Sequence, residues 1–374
     1  MTARKPARVV ALAATAFCLI VALGSLELTA WLFTEKLSVP RRELFMSFYQ
    51  PAPAEPGEVC WRVQPGYEGR WRPSGWDIRV RMNNMGWRDP RDWDRKPVDV
   101  AQVGDSYAFG WGVEHGDRVS DLLQKRRPNE KIFTYAYANG FAPAHYYIYL
   151  KARPEIWPRK VLIVNLFPYN DLWGDMEWTK IGRDAGGDAS WAECPGFKAG
   201  PDGVWQTSDS GRGAGARAFR WLADHTHAGE GLRRIWQSRE TAAPIPPIDH
   251  DRLDDGPLEG VALEALGYVE KLKRLMATRG VRTVVLLIPP NTWVEPTWCR
   301  YRDRARCEAL LRHAPLHGEL LAWLRARDIE VVDTTDALRA RYRAGEVVHI
   351  PDDGHWNAAG NRVAAELLMK ALDQ

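Results

Sequence analysis

The chain has 374 residues, 45% of them hydrophobic and 26% charged, which supports one large core or two small ones and argues against a disordered protein. Its net charge is +3 and Lys and Arg are spread along the sequence, so there is no basic stripe to neutralise phosphates, and nucleic acid is a poor candidate partner. The 18 Trp residues are read mainly as core packing, although flat aromatic faces also stack on sugar rings.

Residues 1–34 set the compartment. Arg4, Lys5 and Arg8 precede an uncharged run from Val9 to Leu26, which continues as largely apolar sequence past Glu27 to Phe33. That length suits a membrane helix better than a secretory signal, whose apolar part spans about 7–15 residues before a small-residue cleavage site. The nearest such site, around Ala22 to Ser25, is weak, so an uncleaved anchor is expected, with a cleaved signal as the alternative. Lys36, Arg41 and Arg42 almost balance the N-terminal charges; the expected orientation puts the short N-terminus inside and the large domain outside. Cysteine usage fits an exported domain, because beyond Cys18 in the anchor the residues Cys60, Cys194, Cys299 and Cys307 are even in number. The spacing in CRYRDRARC makes Cys299–Cys307 the first candidate bridge, four free thiols being the alternative, and without a CxxC pair nothing resembles a zinc site.

Residues 35–96, rich in Pro, Trp and Arg, read as a lead-in of short strands and loops packed on the edge of the domain that follows. From residue 97 the organisation is α/β. VDVAQVG, IFTYAYA, VLIVNLF, TVVLLIPP and IEVVDT are short apolar runs, and segments such as GVALEALGYVEKLKRLMATRG, ELLAWLRARD and NRVAAELLMKAL carry apolar residues at helical spacing. Near-continuous Val, Ile and Leu with intervening helices predicts a parallel sheet covered on both faces. Between about 172 and 256 the periodicity fades into Gly, Trp, Arg and Pro, an insertion longer than an ordinary connection and expected either to cap a site or to form a flexible excursion. GRGAGAR at 211–217 lacks both a preceding strand and a following GK[ST], so it reads as a loop and not a phosphate cradle. His225 and His227 stand without further placed ligands, and IDHDRLDDG at 248–256 reads as an acidic helix lead-in.

In open parallel sheets, ligand groups gather beyond the carboxyl ends of the strands. There the sequence places Ser106 after the first strand, Asn139 and Gly140 after the second, Asn170 and Asp171 after the third, and Asp352 and His355 in PDDGHWNAAG before the last helix. Acyl transfer needs a nucleophile, a base to take its proton, an acid to orient the base, and donors for the oxyanion. Ser106 would attack, His355 Nε2 would accept its proton, and Asp352 would hold the other imidazole nitrogen, with the adjacent Asp353 as the alternative acid. The backbone N–H groups of Ser106 and Gly140 and the side-chain amide of Asn170 would form the oxyanion hole; glycine at 140 admits close approach of the backbone to the substrate. This chemistry requires no metal and no cofactor.

These residues carry a family resemblance. The chain is similar to the SGNH, or GDSL-type, hydrolase superfamily through GDS at 104–106, Gly140 after the second strand, the Asn170–Asp171 pair, and the Asp-x-x-His motif at 352–355 followed by Asn357 and Gly360. RMNNMGWRDP at 81–90 resembles the segment that often precedes the nucleophile motif in membrane-anchored bacterial members. The resemblance covers roughly residues 81–171 and 257–374. It implies a flavodoxin-like three-layer α/β/α fold with a central parallel sheet, preceded here by one N-terminal transmembrane helix, and action on esters, often acetyl groups on carbohydrates or lipids. Residue by residue it implies Ser106 as nucleophile, Gly140 and Asn170 as oxyanion donors, and Asp352 and His355 as the rest of the triad. The third block departs from the pattern, reading FPYND where glycine more usually precedes Asn-Asp.

The expected organisation is an anchor at 1–34, a lead-in at 35–96 and a hydrolase domain at 97–374 with its insertion at about 172–256. The expected place is the inner (cytoplasmic) membrane, single-pass, with the domain on the periplasmic or extracytoplasmic side. The leading expectation is a serine esterase that removes an acyl group, acetyl first, from a carbohydrate or lipid-like ester through an acyl-serine. An O-acyltransferase acting on an envelope polysaccharide would use the same triad, and would draw on a multi-spanning acyl-donor partner. An envelope binding protein that keeps the fold without the activity is the reading from a different class.

Overall fold

The apolar runs become the strands of one sheet: β1 (Val98–Gly104), β2 (Ile132–Ala136), β3 (Pro158–Leu166), β4 (Arg282–Leu287) and β5 (Glu330–Asp333). Their order across the sheet is β2-β1-β3-β4-β5, and every pairing is parallel. This is the doubly wound order in which the chain reverses direction between β1 and β3, the place where such sheets open a crevice beyond their carboxyl ends. All seven residues of β1 and all five of β2 are buried, as a sheet covered on both faces demands.

The helices are α1 (Ser106–Phe109), α2 (Val119–Arg126), α3 (Pro143–Lys151), α4 (Val261–Ala277), α5 (Asn291–Val294), α6 (Pro315–Arg325), α7 (Thr335–Arg343) and α8 (Ala358–Leu372). Val100, Ile163, Val284, Leu286 and Val332 of the strands join Val119 and Leu123 of α2, Leu338 of α7 and Val363 and Leu368 of α8 in one buried cluster. The alternation of side chains along a strand sends Ala101, Leu162 and Val285 to the opposite face, where α3 packs against α4 and α4 against β4. The three-layer α/β/α architecture expected from the sequence is therefore present.

The computed structural model describes residues 14–15, 17–29, 49–51, 61–71, 78–137, 141–168, 170–174, 180–183, 189–193, 197–199, 205–207, 226, 258–295, 315–351 and 353–374. The chain divides into two units, residues 46–71, 76–208 and 250–374, which contain the sheet, and residues 1–45, 72–75 and 209–249. In the second of these, helical residues are described at 14–15 and 17–29, with Phe17, Ile20, Leu23 and Leu28 exposed. Among the described residues no helix is long and apolar enough to cross a membrane, so the spanning helix expected within residues 1–34 is not seen. Cys60, Cys194, Cys299 and Cys307, with the bridge expected between the last two, lie outside the described residues, as do GRGAGAR, His225, His227 and the acidic stretch at 248–256.

The lead-in forms two antiparallel pairs, Tyr49–Pro51 with Trp61–Val63 and Glu68–Trp71 with Ile78–Arg81. It then docks on β2 through Trp87, whose ring lies 4.4 Å from that of Tyr135 and 5.7 Å from Phe133 and whose Nε1 donates to the Tyr149 hydroxyl at 3.0 Å. Within the insertion, Lys180–Arg183 pairs with Ala189–Glu193 and Phe197–Ala199 with Trp205–Thr207, both antiparallel.

Candidate active site

The turn after β1 is built for close approach. A Cβ at Gly104 would stand 2.6 Å from Ala108 Cβ and 2.8 Å from Asn165 Cβ, so only glycine lets α1 fold back on the strand ends. Asp105 caps α1, its Oδ1 accepting from Tyr107 N at 3.0 Å. Ser106 is the first residue of that helix, where a backbone N–H has no acceptor four residues back. The helix ends after one turn at Gly110, whose φ of +85° suits glycine.

The histidine comes from the other end of the chain. Before α8, His349 and Trp356 form an antiparallel bridge, Ile350 N donates to His355 O at 2.7 Å, and Gly354 turns the loop with φ +93°. Asn357 closes the motif by capping α8, accepting from Ala359 N at 2.8 Å and Gly360 N at 3.1 Å. A side chain at Gly360 would collide with Val348 O. The tail of the motif thus aims the loop, and His355 is what the loop presents.

His355 Nε2 lies 2.8 Å from Ser106 Oγ across 249 positions of sequence. On the other side of the ring, Nδ1 lies 2.6 Å from Asp353 Oδ1, which also accepts from the His355 backbone N–H at 3.1 Å. A carboxylate can only accept, so Nδ1 carries the proton and Nε2 faces Ser106 as the acceptor. Burial pushes the Asp353 carboxyl up, but the His355 side chain and backbone N–H and the Trp111 indole outweigh it and hold the group below the ordinary carboxylate range. The acid on the imidazole is thus Asp353, the alternative of the sequence reading. The assignment to Asp352 from Asp-x-x-His spacing is not supported, because Nδ1 has one hydrogen and Asp353 takes it; Asp352 itself lies outside the described residues.

Asn170 opens a π-helical turn, Asn170–Gly174, just past the end of β3. Its Nδ2 donates to Asp105 Oδ2 at 3.1 Å, which sets the amide against the nucleophile turn, while its Oδ1 is buried without a hydrogen-bond partner. The turn is fastened by the fully buried Asp171, which accepts from Phe167 N at 2.7 Å and from the Tyr146 hydroxyl at 3.0 Å. Burial raises the Asp105 carboxyl, against the hydrogen bonds from Asn170 and the Tyr107 N–H that favour its charge. Gly140, the other expected oxyanion donor, lies outside the described residues. The structure therefore brings Ser106, His355 and Asn170 together at the β1/β3 crevice.

Three supports escaped the sequence reading. Tyr107 packs between the rings of Phe167, His355 and Trp356, with centroids 4.8, 4.8 and 5.2 Å away, and donates to Gly354 O at 3.1 Å. Burial holds its phenol well above the ordinary value, so it stays a donor. Trp111 lies against the imidazole. Arg88, fully buried, donates to Phe109 O at 3.1 Å, Val113 O at 2.6 Å and Gly110 O, tying the lead-in to the loop after α1. Burial, and then the charge of Arg118, lower its guanidinium to about 9. Only the RMNNMGWRDP resemblance pointed to this segment.

Residues 254–374, about the last third of the chain, match the family described as "SGNH hydrolase-like domain, acetyltransferase AlgX"; that stretch holds His355 and Asp353, and Ser106 lies before it. No curated protein matches the chain. Solved structures that align with it include a member of the lipolytic G-D-S-L family from Veillonella parvula, with 12% identity, 74% of this chain and 99% of that one covered, and TM-score 0.38. Others are a GDSL-like lipase from Bacteroides thetaiotaomicron (11%, 74% and 87%, TM-score 0.32) and an alpha/beta hydrolase from the metagenome of Lake Arreo, Spain (12%, 75% and 97%, TM-score 0.32). A serine–histidine–carboxylate relay thus stands at the switch point of a doubly wound sheet, its histidine and carboxylate inside a C-terminal stretch that matches an SGNH hydrolase-like domain, and the parts fit an enzyme that hydrolyses or transfers acyl groups.

Proposed function

We propose that this protein is an SGNH-type serine esterase that takes an acetyl group from a carbohydrate or lipid-like ester through an acyl-serine at Ser106. The observation that carries the reading is the continuous relay from Ser106 Oγ through His355 to Asp353, at 2.8 and 2.6 Å. In acylation, Oγ bonds to the ester carbonyl carbon as its proton passes to Nε2, and the carbonyl electron pair moves onto oxygen. The Ser106 N–H, the second Nδ2 hydrogen of Asn170 and the Gly140 N–H would receive that oxyanion. Collapse expels the alcohol, which takes the proton from Nε2. A water molecule then repeats the sequence on the acyl-serine, releasing acetate and restoring Ser106.

A second reading, transfer of the acetyl group to a hydroxyl of an envelope polysaccharide, is favoured by the acetyltransferase in the description of the matching domain. The relay is the same, and only the acceptor differs. We place the domain on the periplasmic side of the inner membrane, held by the apolar N-terminal segment; the run from Val9 to Leu26 and its exposed Phe17, Ile20 and Leu23 support this placement. The test is acetate release from p-nitrophenyl acetate by the full chain, with and without added oligosaccharide. Release that is unaffected by oligosaccharide supports the esterase; acetylated oligosaccharide formed at the expense of free acetate supports the transferase. Neither product from a folded protein overturns both and favours a binding protein.

A further inference from the structure

Trp111 touches both members of the acid–base pair. Its indole Nε1 donates to Asp353 Oδ2 at 3.0 Å, on the oxygen His355 does not use. Its ring stacks on the His355 imidazole, with centroids 5.1 Å apart and planes 20° apart. One side chain therefore fixes the carboxylate from behind and the imidazole from its face.

The loop that carries it is held in place. Trp111 sits between Gly110 and Gly112, with φ of +85° and +69°, a backbone path that side chains at both neighbours would strain. Trp111 N donates to Ser106 O at 3.0 Å, so the indole is one hydrogen bond from the nucleophile's own backbone. Arg88 clamps the carbonyls on both sides, and a Cβ at Gly110 would collide with the aliphatic stem of the buried Arg118, which donates to Arg88 O. The result is an aromatic side chain on a rigid mount.

We propose that Trp111 is a positioning residue for the acid–base pair, acting through Asp353 and His355 and not through the substrate. When His355 takes the Ser106 proton it becomes a cation between the Asp353 carboxylate and the indole face, and both contacts favour that state over neutral imidazole. The other charged group facing the ring among the described residues is Asp105, on the nucleophile turn. The alternative role, simple cover for the loop, would stabilise the fold without touching proton transfer. The inference rests on the relay reading of Ser106, His355 and Asp353.

The test uses the full chain with Trp111→Phe, which keeps a stacking face and loses the N–H, and Trp111→Ala, which loses both. Labelling of Ser106 by a fluorophosphonate and kcat/KM on p-nitrophenyl acetate are followed from pH 5 to 9. We expect kcat to fall about 10-fold in Trp111→Phe and about 100-fold in Trp111→Ala, the scale of one charge-assisted hydrogen bond and of that bond plus a cation–π contact. KM should stay within about twofold. The acid limb of the rate profile should move to lower pH in Trp111→Ala, since losing the indole face favours the unprotonated ring. In Asp353→Asn the further change Trp111→Phe should cost little, because the two act through one bond. Wild type that labels, with both variants labelling at its rate or slowing only in step with a lowered unfolding midpoint and with an unmoved acid limb, overturns this inference alone. Wild type that does not label overturns the relay reading, and the inference with it.

Discussion

Replacing Asp353 by Asn tests the relay at its least obvious member. The carboxylate accepts three donors, His355 Nδ1 at 2.6 Å and His355 N at 3.1 Å on Oδ1, and Trp111 Nε1 at 3.0 Å on Oδ2. An amide has one acceptor oxygen. If it faces His355, the new NH2 meets the Trp111 N–H head-on; if it faces Trp111, the NH2 meets the His355 backbone N–H and makes Nδ1 the acceptor. The second arrangement puts the ring hydrogen on Nε2, aimed at Ser106 Oγ, where it can no longer take the proton. Where the same change was made in a serine protease triad the loss was about 10⁴ in kcat, and we expect a fall of about 10³–10⁴ here, roughly 4–5.5 kcal/mol of transition-state stabilisation. The assay is kcat/KM on p-nitrophenyl acetate, with Asp352→Asn alongside. Asp352→Asn should stay within about 10-fold of wild type, since Asp353 already takes the one Nδ1 hydrogen. A loss of 10³ in Asp352→Asn with Asp353→Asn near wild type would refute the assignment. Stability supplies a second readout with a definite sign. The Asp353 carboxyl is held below its unfolded value, so its contribution is present above the unfolded value of about 3.9 and disappears as pH falls through the folded one. The stability gap between wild type and Asp353→Asn should close on acidification below about pH 4.

Asn170→Ala should lower kcat by about 10²–10³ with little change in KM, if its amide receives the oxyanion; steady-state kinetics decide it. Asp105→Asn should separate stability from activity. Burial raises the Asp105 carboxyl, so its penalty is full above the folded value and vanishes below the unfolded one; the variant should be at least as stable as wild type at pH 7 by urea titration, the difference closing in acid. It should also be slower, because its NH2 faces either Asn170 Nδ2 or the Tyr107 N–H, both of which are donors. Arg88→Met removes the guanidinium donor from the carbonyls of Phe109, Gly110 and Val113 and should cost at least about 3 kcal/mol in a denaturant titration, with Arg88→Lys failing to restore the fork.

The strands and their order of chemistry were legible because they rest on local pattern. VDVAQVG is β1 residue for residue, and the other four apolar runs each became a strand of the same sheet. The proximity of Ser106, His355 and Asn170 was legible because strand ends of a parallel sheet share one edge. The choice between Asp352 and Asp353 was not legible, since neighbouring side chains diverge according to one turn's dihedrals, here set by Gly354 at φ +93° and the Ile350–His355 hydrogen bond. Trp111 and Arg88 were invisible for another reason. Trp111 reaches Asp353 across 242 positions and Arg88 reaches Val113 across 25, and neither distance leaves a mark in spacing or composition. The glycines around Trp111 were the available signal, since FGWG permits the left-handed path found at both flanks of a large aromatic.

The most direct test of the account is fluorophosphonate labelling of the full chain at neutral pH, compared with Ser106→Ala and read by intact mass and peptide mapping. Wild type should carry one adduct, mapped to Ser106, and the variant none. An unlabelled wild type that is shown to be folded, or an adduct that persists in Ser106→Ala, would contradict it.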